Sequence, residues 1–164
     1  MRHHVPIRLR WADLDAYNHV NNSTMLTLLE ESRVRAFWAS PGVGDGPEPD
    51  RPLAVIDAAA GARTLTLIAR NEVEYLAPIT YQPEPLDVQL WFGKLGAASA
   101  EVCYEVWSPV GPPESERTRY TIAASTIVFI DAETSRPRRM SDAEREAWTP
   151  FVEEPVRFRG ARGA

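Results

Sequence analysis

Along the chain, apolar and polar positions alternate first with a period of two, then with the period of a helix, then with two again. Ile7, Leu9 and Trp11 stand against Arg8 and Arg10, which predicts a half-buried strand from Pro6 to Trp11. After a polar segment over residues 12–22, Met25, Leu26, Leu28, Leu29, Ala36 and Phe37 recur at helical spacing and predict a helix from Ser23 to Trp38. Asn21 or Asn22 is suited to cap its first turn, and Pro41 forces it to end earlier. Residues 40–52 are rich in Pro, Gly and Asp and read as a loop.

Strand patterns follow. Leu65, Leu67, Ala69, Asn71, Val73 and Tyr75 are expected to share one face of a long strand. Leu86, Val88, Leu90 and Phe92 form a second face, and Ala100, Val102, Tyr104 and Val106 a third, with Gly93-Lys94-Leu95-Gly96 as the expected hairpin turn. Residues 108–117 read as a second loop, and the nearly unbroken apolar run from Tyr120 to Ile130 predicts a strand covered on both faces. Ser141-Asp142-Ala143-Glu144 is a capping box that opens a short helix through Trp148. The order of strand, long helix, then four or five strands is an α+β architecture, an antiparallel sheet against one early helix. Such a sheet leaves an edge open, so pairing with a second copy is expected.

Composition narrows the classes. The 164 residues fit one domain, read as residues 1–164 with a core over about 5–148, and 44% hydrophobic with 25% charged residues is a globular balance. No apolar run reaches the 18 or more residues of a membrane span, and Met1-Arg2-His3-His4-Val5-Pro6 lacks the apolar stretch of a signal peptide, so the cytoplasm is the expected compartment. The single cysteine, Cys103, excludes an intrachain disulfide and sits in an alternating stretch where packing is its ordinary use. With only His3, His4 and His19, no Cys/His metal spacing exists, and no metal or redox cofactor is implied. Net charge is −5, and the one basic group, Arg136, Arg138 and Arg139, reads as a solvated loop rather than a nucleic-acid stripe.

The chemistry concentrates in Arg10-Trp11-Ala12-Asp13-Leu14-Asp15-Ala16-Tyr17-Asn18-His19-Val20-Asn21-Asn22, between a strand and the start of the long helix. Unpaired N–H groups and the positive end of the helix dipole converge there, an arrangement able to hold a developing oxyanion beside a carboxylate. On the residues alone, turn-making and capping are the more ordinary use of Asp13, Asp15, Asn18 and Asn22.

Leu14-Asp15-Ala16-Tyr17-Asn18-His19-Val20-Asn21-Asn22, with Leu29-Glu30-Glu31-Ser32-Arg33 after it, closely resembles the signature of hot-dog acyl-CoA thioesterases of the 4-hydroxybenzoyl-CoA thioesterase superfamily, above all its long-chain acyl-CoA branch. Val73-Glu74-Tyr75-Leu76-Ala77-Pro78 resembles the end of that family's central strand. Ile127-Val128-Phe129-Ile130-Asp131, with Thr134 and Arg136-Pro137, resembles its last strand and turn. The resemblance implies a hot-dog domain, a sheet wrapped around one long central helix. It also implies hydrolysis of an acyl thioester with Asp15 as general base or nucleophile, and the backbone N–H of Asn22 as oxyanion donor. Asp13 falls at a variable position of the family and reads as structural. Tyr17, His19, Asn21, Met25 and Glu30 are put toward the substrate. His19 and Asn21 serve equally as loop-shaping hydrogen-bonders, and Glu30 alternatively pairs with Arg33 or Arg35. Met25 stands where the family often has an aromatic residue, which bears on the acyl pocket.

Two other readings share the fold. Hydratases of acyl thioesters place a His five positions after an Asp, whereas Asp15 to His19 spans four and Asp13 to His19 six. A noncatalytic acyl-CoA-binding member is the other. Plant acyl-carrier-protein thioesterases carry a similar His-Val-Asn-Asn segment, so a carrier-protein thioester stands beside CoA as substrate. The resemblance implies a homodimer or a homotetramer built as a dimer of dimers, with the pantetheine arm between subunits. Lys94 or the Arg136–Arg139 group is a candidate for the phosphates.

Overall fold

A computed structural model describes residues 1–38, 52–57 and 62–159. Most of the loop expected over 40–52 therefore lies outside the described residues. Strand β1 (His3–Ile7) leads through a turn of 3-10 helix (Trp11–Asp13) to helix α1 (Asn22–Phe37). Strands β2 (Thr64–Tyr75), β3 (Leu86–Leu95), β4 (Ser99–Trp107) and β5 (Arg119–Asp131) follow, and then the short helix α2 (Asp142–Trp148). All pairings are antiparallel in one five-stranded sheet ordered β1-β3-β4-β5-β2.

The sheet's inner face closes over α1. Val88, Leu90, Val102, Tyr104, Ala123 and Ile127 meet Met25, Leu28, Leu29, Ala36 and Phe37 in one buried cluster. At the far end of α1, Phe37, Phe92, Phe129 and Trp148 stack with ring centroids 4.7 to 5.7 Å apart, and Trp148 donates its indole N–H to the Leu53 carbonyl at 3.1 Å. Burying rings of this size contributes roughly 2–3 kcal/mol each. This sheet around one sixteen-residue helix is the expected α+β hot-dog arrangement.

Three expectations need correction. First, β1 begins at His3 and stops at Ile7, and Trp11 is not a strand residue. Arg10 and Asp13 bond each other reciprocally, Arg10 N–H to Asp13 Oδ2 at 2.7 Å and Asp13 N–H to the Arg10 carbonyl at 3.0 Å. That turn throws Trp11 outward, where it is 68% exposed and stacks on Tyr81. Second, the expected single face of β2 is split. A bulge between Ile68 and Arg70 shifts the register, so Asn71, Val73 and Tyr75 pair with inner-face Ser125, Ala123 and Thr121, whereas Leu65 and Leu67 pair with Ile130 and Val128 on the outer face. Third, the hairpin turn lies between Gly96 and Ser99, closed by Gly96 N–H to the Ser99 carbonyl at 2.8 Å, and not at Gly93. A Cβ at Gly93 would meet Glu101 Oε2 at 2.5 Å and Pro155 Cβ at 3.1 Å, so this glycine exists for close approach rather than for turning.

The outer face of the sheet is covered in part by the chain's own end. Glu153 N–H bonds the Phe92 carbonyl at 3.0 Å, the Trp91 indole N–H bonds the Glu154 carbonyl at 2.9 Å, and Arg159 N–H reaches Glu74 on β2 at 2.7 Å. Beside this strap lies a buried polar network. Asp87 accepts from Arg117, His4 and Gln89, and Glu105 accepts from Arg2, Arg119 and the Trp107 indole. Burial pushes both carboxyls up, but these hydrogen bonds and neighbouring charges outweigh it and hold both below their ordinary values. Cys103, on the same face, is pushed up to about 11 by burial, which keeps it a thiol.

Candidate active site

Residues 13–21 form a tight loop that delivers one carboxylate to the start of α1. Leu14 bridges Val20, and Val20 N–H bonds the Ile79 carbonyl at 2.8 Å, which ties the loop to the segment after β2. Asn18 turns the corner at φ 62°, a conformation asparagine tolerates better than most residues. Asp13 is buried and spends both carboxylate oxygens on Arg10, so it holds the loop rather than facing a ligand.

Asp15 is held differently. Its Oδ1 accepts from the backbone N–H groups of Tyr17 at 2.8 Å and His19 at 3.1 Å, while among the described residues no donor bonds its Oδ2. One oxygen orients the group and the other is left for a ligand. Asn21 is the N-cap of α1, its side chain accepting from Ser23 N–H at 2.8 Å. Asn22 opens the helix, so its N–H has no acceptor within the helix.

Asp15, His19, Asn22 and Met25 line one cleft of about 320 Å³, together with Val20, Tyr75 to Ile79 and Thr121. Met25 is buried. The other expected residues do not border it. Tyr17 is 82% exposed, Asn21 is engaged in capping, and Glu30 lines a separate cleft with Arg33, Trp38 and Ile68. Arg33 bonds the Tyr104 hydroxyl at 2.9 Å and Arg35 pairs with Glu31. Of the cations considered for phosphates, Arg138 is bound to Glu144 and Thr64, and Lys94 is exposed. Among the described residues no three His, Cys, Asp or Glu side chains are placed to hold a metal ion.

Sequence reading missed two polar residues of the cleft. The Tyr75 hydroxyl donates to the Asn22 carbonyl at 3.0 Å, joining the end of β2 to the helix start. Thr121, its cross-strand partner on β5, is 1% exposed with an unbonded hydroxyl. The available signal was a threonine at the start of an otherwise mostly apolar run.

Known proteins share the fold around this cleft. The profile of the thioesterase-like superfamily matches residues 9–149. No curated protein matches the chain. Among solved structures, a predicted thioesterase from Bacillus stearothermophilus aligns at 21% identity over 95% of this chain and 100% of its own, with a TM-score of 0.72. A thioesterase from Thermus thermophilus complexed with coenzyme A and zinc aligns at 24% identity over 93% and 96%, TM-score 0.64. A DHNA-CoA thioesterase from Staphylococcus aureus aligns at 17% over 91% and 89%, TM-score 0.67. With the family profile matched across most of its length and the sheet closed around α1, the chain belongs to the thioesterase-like superfamily and has the hot-dog fold.

Proposed function

We propose that this protein is one domain that hydrolyses an acyl-CoA thioester to the free acid and CoA, with Asp15 as its catalytic carboxylate. The observation that carries the reading is the placement of Asp15, one oxygen fixed by two backbone donors, in the same cleft as the unpaired N–H end of α1. In the general-base route Asp15 Oδ2 takes a proton from water as the oxygen attacks the thioester carbonyl. The Asn22 N–H, at the positive end of the helix, holds the oxyanion. The C–S bond then breaks, and the thiolate of CoA leaves and takes up the proton. Direct attack by the carboxylate uses the same residue through an anhydride that water cleaves. His19 borders the cleft and either shapes it or touches the substrate.

Thiol release measured across short, medium, long and aromatic acyl-CoAs tests this. Wild type should hydrolyse at least one, and Asp15→Asn should fall by about 100-fold or more while keeping its Tm. Full activity of the variant would exclude the role of Asp15, and failure of wild type on every substrate would overturn the hydrolase reading. An acyl-CoA substrate suits the cytoplasmic location read from the sequence. No helix among the described residues is long and apolar enough to cross a membrane.

The functional unit we propose is at least a homodimer. The twelve-residue β2 is an edge strand with Leu65, Leu67 and Ile68 each 39–53% exposed, an unusual surface for a chain working alone. Light scattering on Leu67→Asp should give a smaller assembly than wild type. An unchanged mass would remove β2 from the interface.

A further inference from the structure

Thr121 presents a problem that the fold does not solve. Its hydroxyl is buried, and no donor or acceptor among the described residues meets it. A buried hydroxyl without a partner costs more than a methyl group of the same shape, so valine is the natural occupant of such a place. The fold does satisfy hydroxyls where their use is structural. Two positions along the same face of β5, Ser125 bonds Asn71 Oδ1 at 2.6 Å. Thr121 instead lines the cleft that holds Asp15 and Asn22. The same cleft is lined by the apolar Val20, Met25, Leu76 and Ile79 and by Asp15, His19 and Asn22, none of which bonds the Thr121 hydroxyl. Its cross-strand neighbour Tyr75 has its own hydroxyl proton committed to the Asn22 carbonyl.

We infer that Thr121 is a specificity residue and that the acyl group of the substrate carries a hydrogen-bonding oxygen, a hydroxyl or a keto group, which the Thr121 hydroxyl holds at the floor of the cleft. The inference rests on the thioesterase reading above and adds the substrate class to it. The rest of the acyl group lies against the apolar lining, while the carbonyl sits at Asp15 and the start of α1. A plain alkyl or aryl acyl group leaves Thr121 buried and unpaired, and the site discriminates against it for that reason. The penalty converts to a preference on the order of 10- to 100-fold in kcat/KM for the oxygenated member of a matched pair.

The test compares matched pairs on wild type, Thr121→Ser and Thr121→Val: hydroxybutyryl- with butyryl-CoA, hydroxyoctanoyl- with octanoyl-CoA, and hydroxybenzoyl- with benzoyl-CoA. In at least one pair wild type should favour the oxygenated substrate by that factor. Thr121→Ser should keep the ratio, and Thr121→Val should bring it close to one. Because the native hydroxyl is unpaired, Thr121→Val should also match or exceed the wild-type Tm, so lost discrimination is not lost folding. No preference in any pair would overturn the inference, as would a Thr121→Val variant that slows both members equally, which would assign Thr121 to the reacting centre. If no substrate releases thiol, the hydrolase reading fails on its own. The ratio of Kd values for uncleavable thioether analogues of the same pairs then decides the role of Thr121, with equal values for wild type and Thr121→Val counting against it.

Discussion

The two faces of the sheet bury polar groups on opposite terms. On the outer face, Asp87 and Glu105 are almost fully buried, and every oxygen is met by an arginine, an amide, an imidazole or an indole. On the inner face, at the start of α1, Thr121 is buried as deeply and nothing meets it, while Asp15 keeps one oxygen free. A satisfied network resists change because each member needs the others. An unsatisfied group leaves bonding capacity for something that is not the protein. The contrast separates scaffold from site without reference to which face holds more charge, since by that measure the outer face would be the candidate.

The sharpest way to break the comparison is Arg117→Ala. It removes the guanidinium 2.8 Å from Asp87, both side chains being at most 7% exposed. Leaving that carboxylate short of its main partner should cost about 3 kcal/mol in urea unfolding, with kcat unchanged in the folded fraction because the lesion is on the far face.

Acid should do the same more gradually. Asp87, Glu105 and Glu144 are all held below their ordinary values, in each case because hydrogen bonds outweigh burial. Each therefore contributes stability that is fully present above the unfolded carboxylate value, about 4, and is lost as pH falls through the lower folded value. Tm should stay level from neutral pH to about 5 and drop below about 4. Glu105→Gln should start lower and fall less steeply.

The smallest effect has the opposite sign. Thr121→Val should raise stability, by about 1 kcal/mol at most, whereas Ser125→Ala, which removes a hydroxyl that is bonded, should lower it. A fall at Thr121 as large as that at Ser125 would erase the distinction between a buried hydroxyl that the fold satisfies and one that it does not.

Much of this was legible in the chain. Period two and period 3.6 marked most of the elements because one side of each strand and helix must be buried. The residues of the Asp15–Asn22 loop alone read as turns and caps, and it was the resemblance of the segment to hot-dog thioesterases that singled out Asp15. What escaped notice depends on contacts across the sheet. The bulge after Ile68 swaps the two faces of β2, and no local pattern records it, because Leu65 and Val73 look equivalent until β5 sets the register. Trp11 broke the alternation through the bond between Arg10 and Asp13, three residues apart but readable only as geometry. Thr121 was hidden in an apolar run, since a threonine in a strand is ordinary until its hydroxyl is found to have no partner.

The strand order has a consequence for how the protein is made. Both edges of the sheet, β1 and β2, come from the first half of the chain, and both pair with strands that follow them, β1 with β3 and β2 with β5. On the ribosome, the loop with Asp15 and all of α1 emerge when, of the sheet, only β1 has been made. At roughly 5–20 residues per second, several seconds separate the appearance of β2 from that of β5. Through that interval the apolar stripe of α1 and the bare edge of β2 are exposed together, a period in which a chaperone rather than the sheet must keep them apart from other chains. The meander β3-β4-β5, whose pairings are local, is the natural first body to form, and the half of the molecule that bears the site is the last to be enclosed.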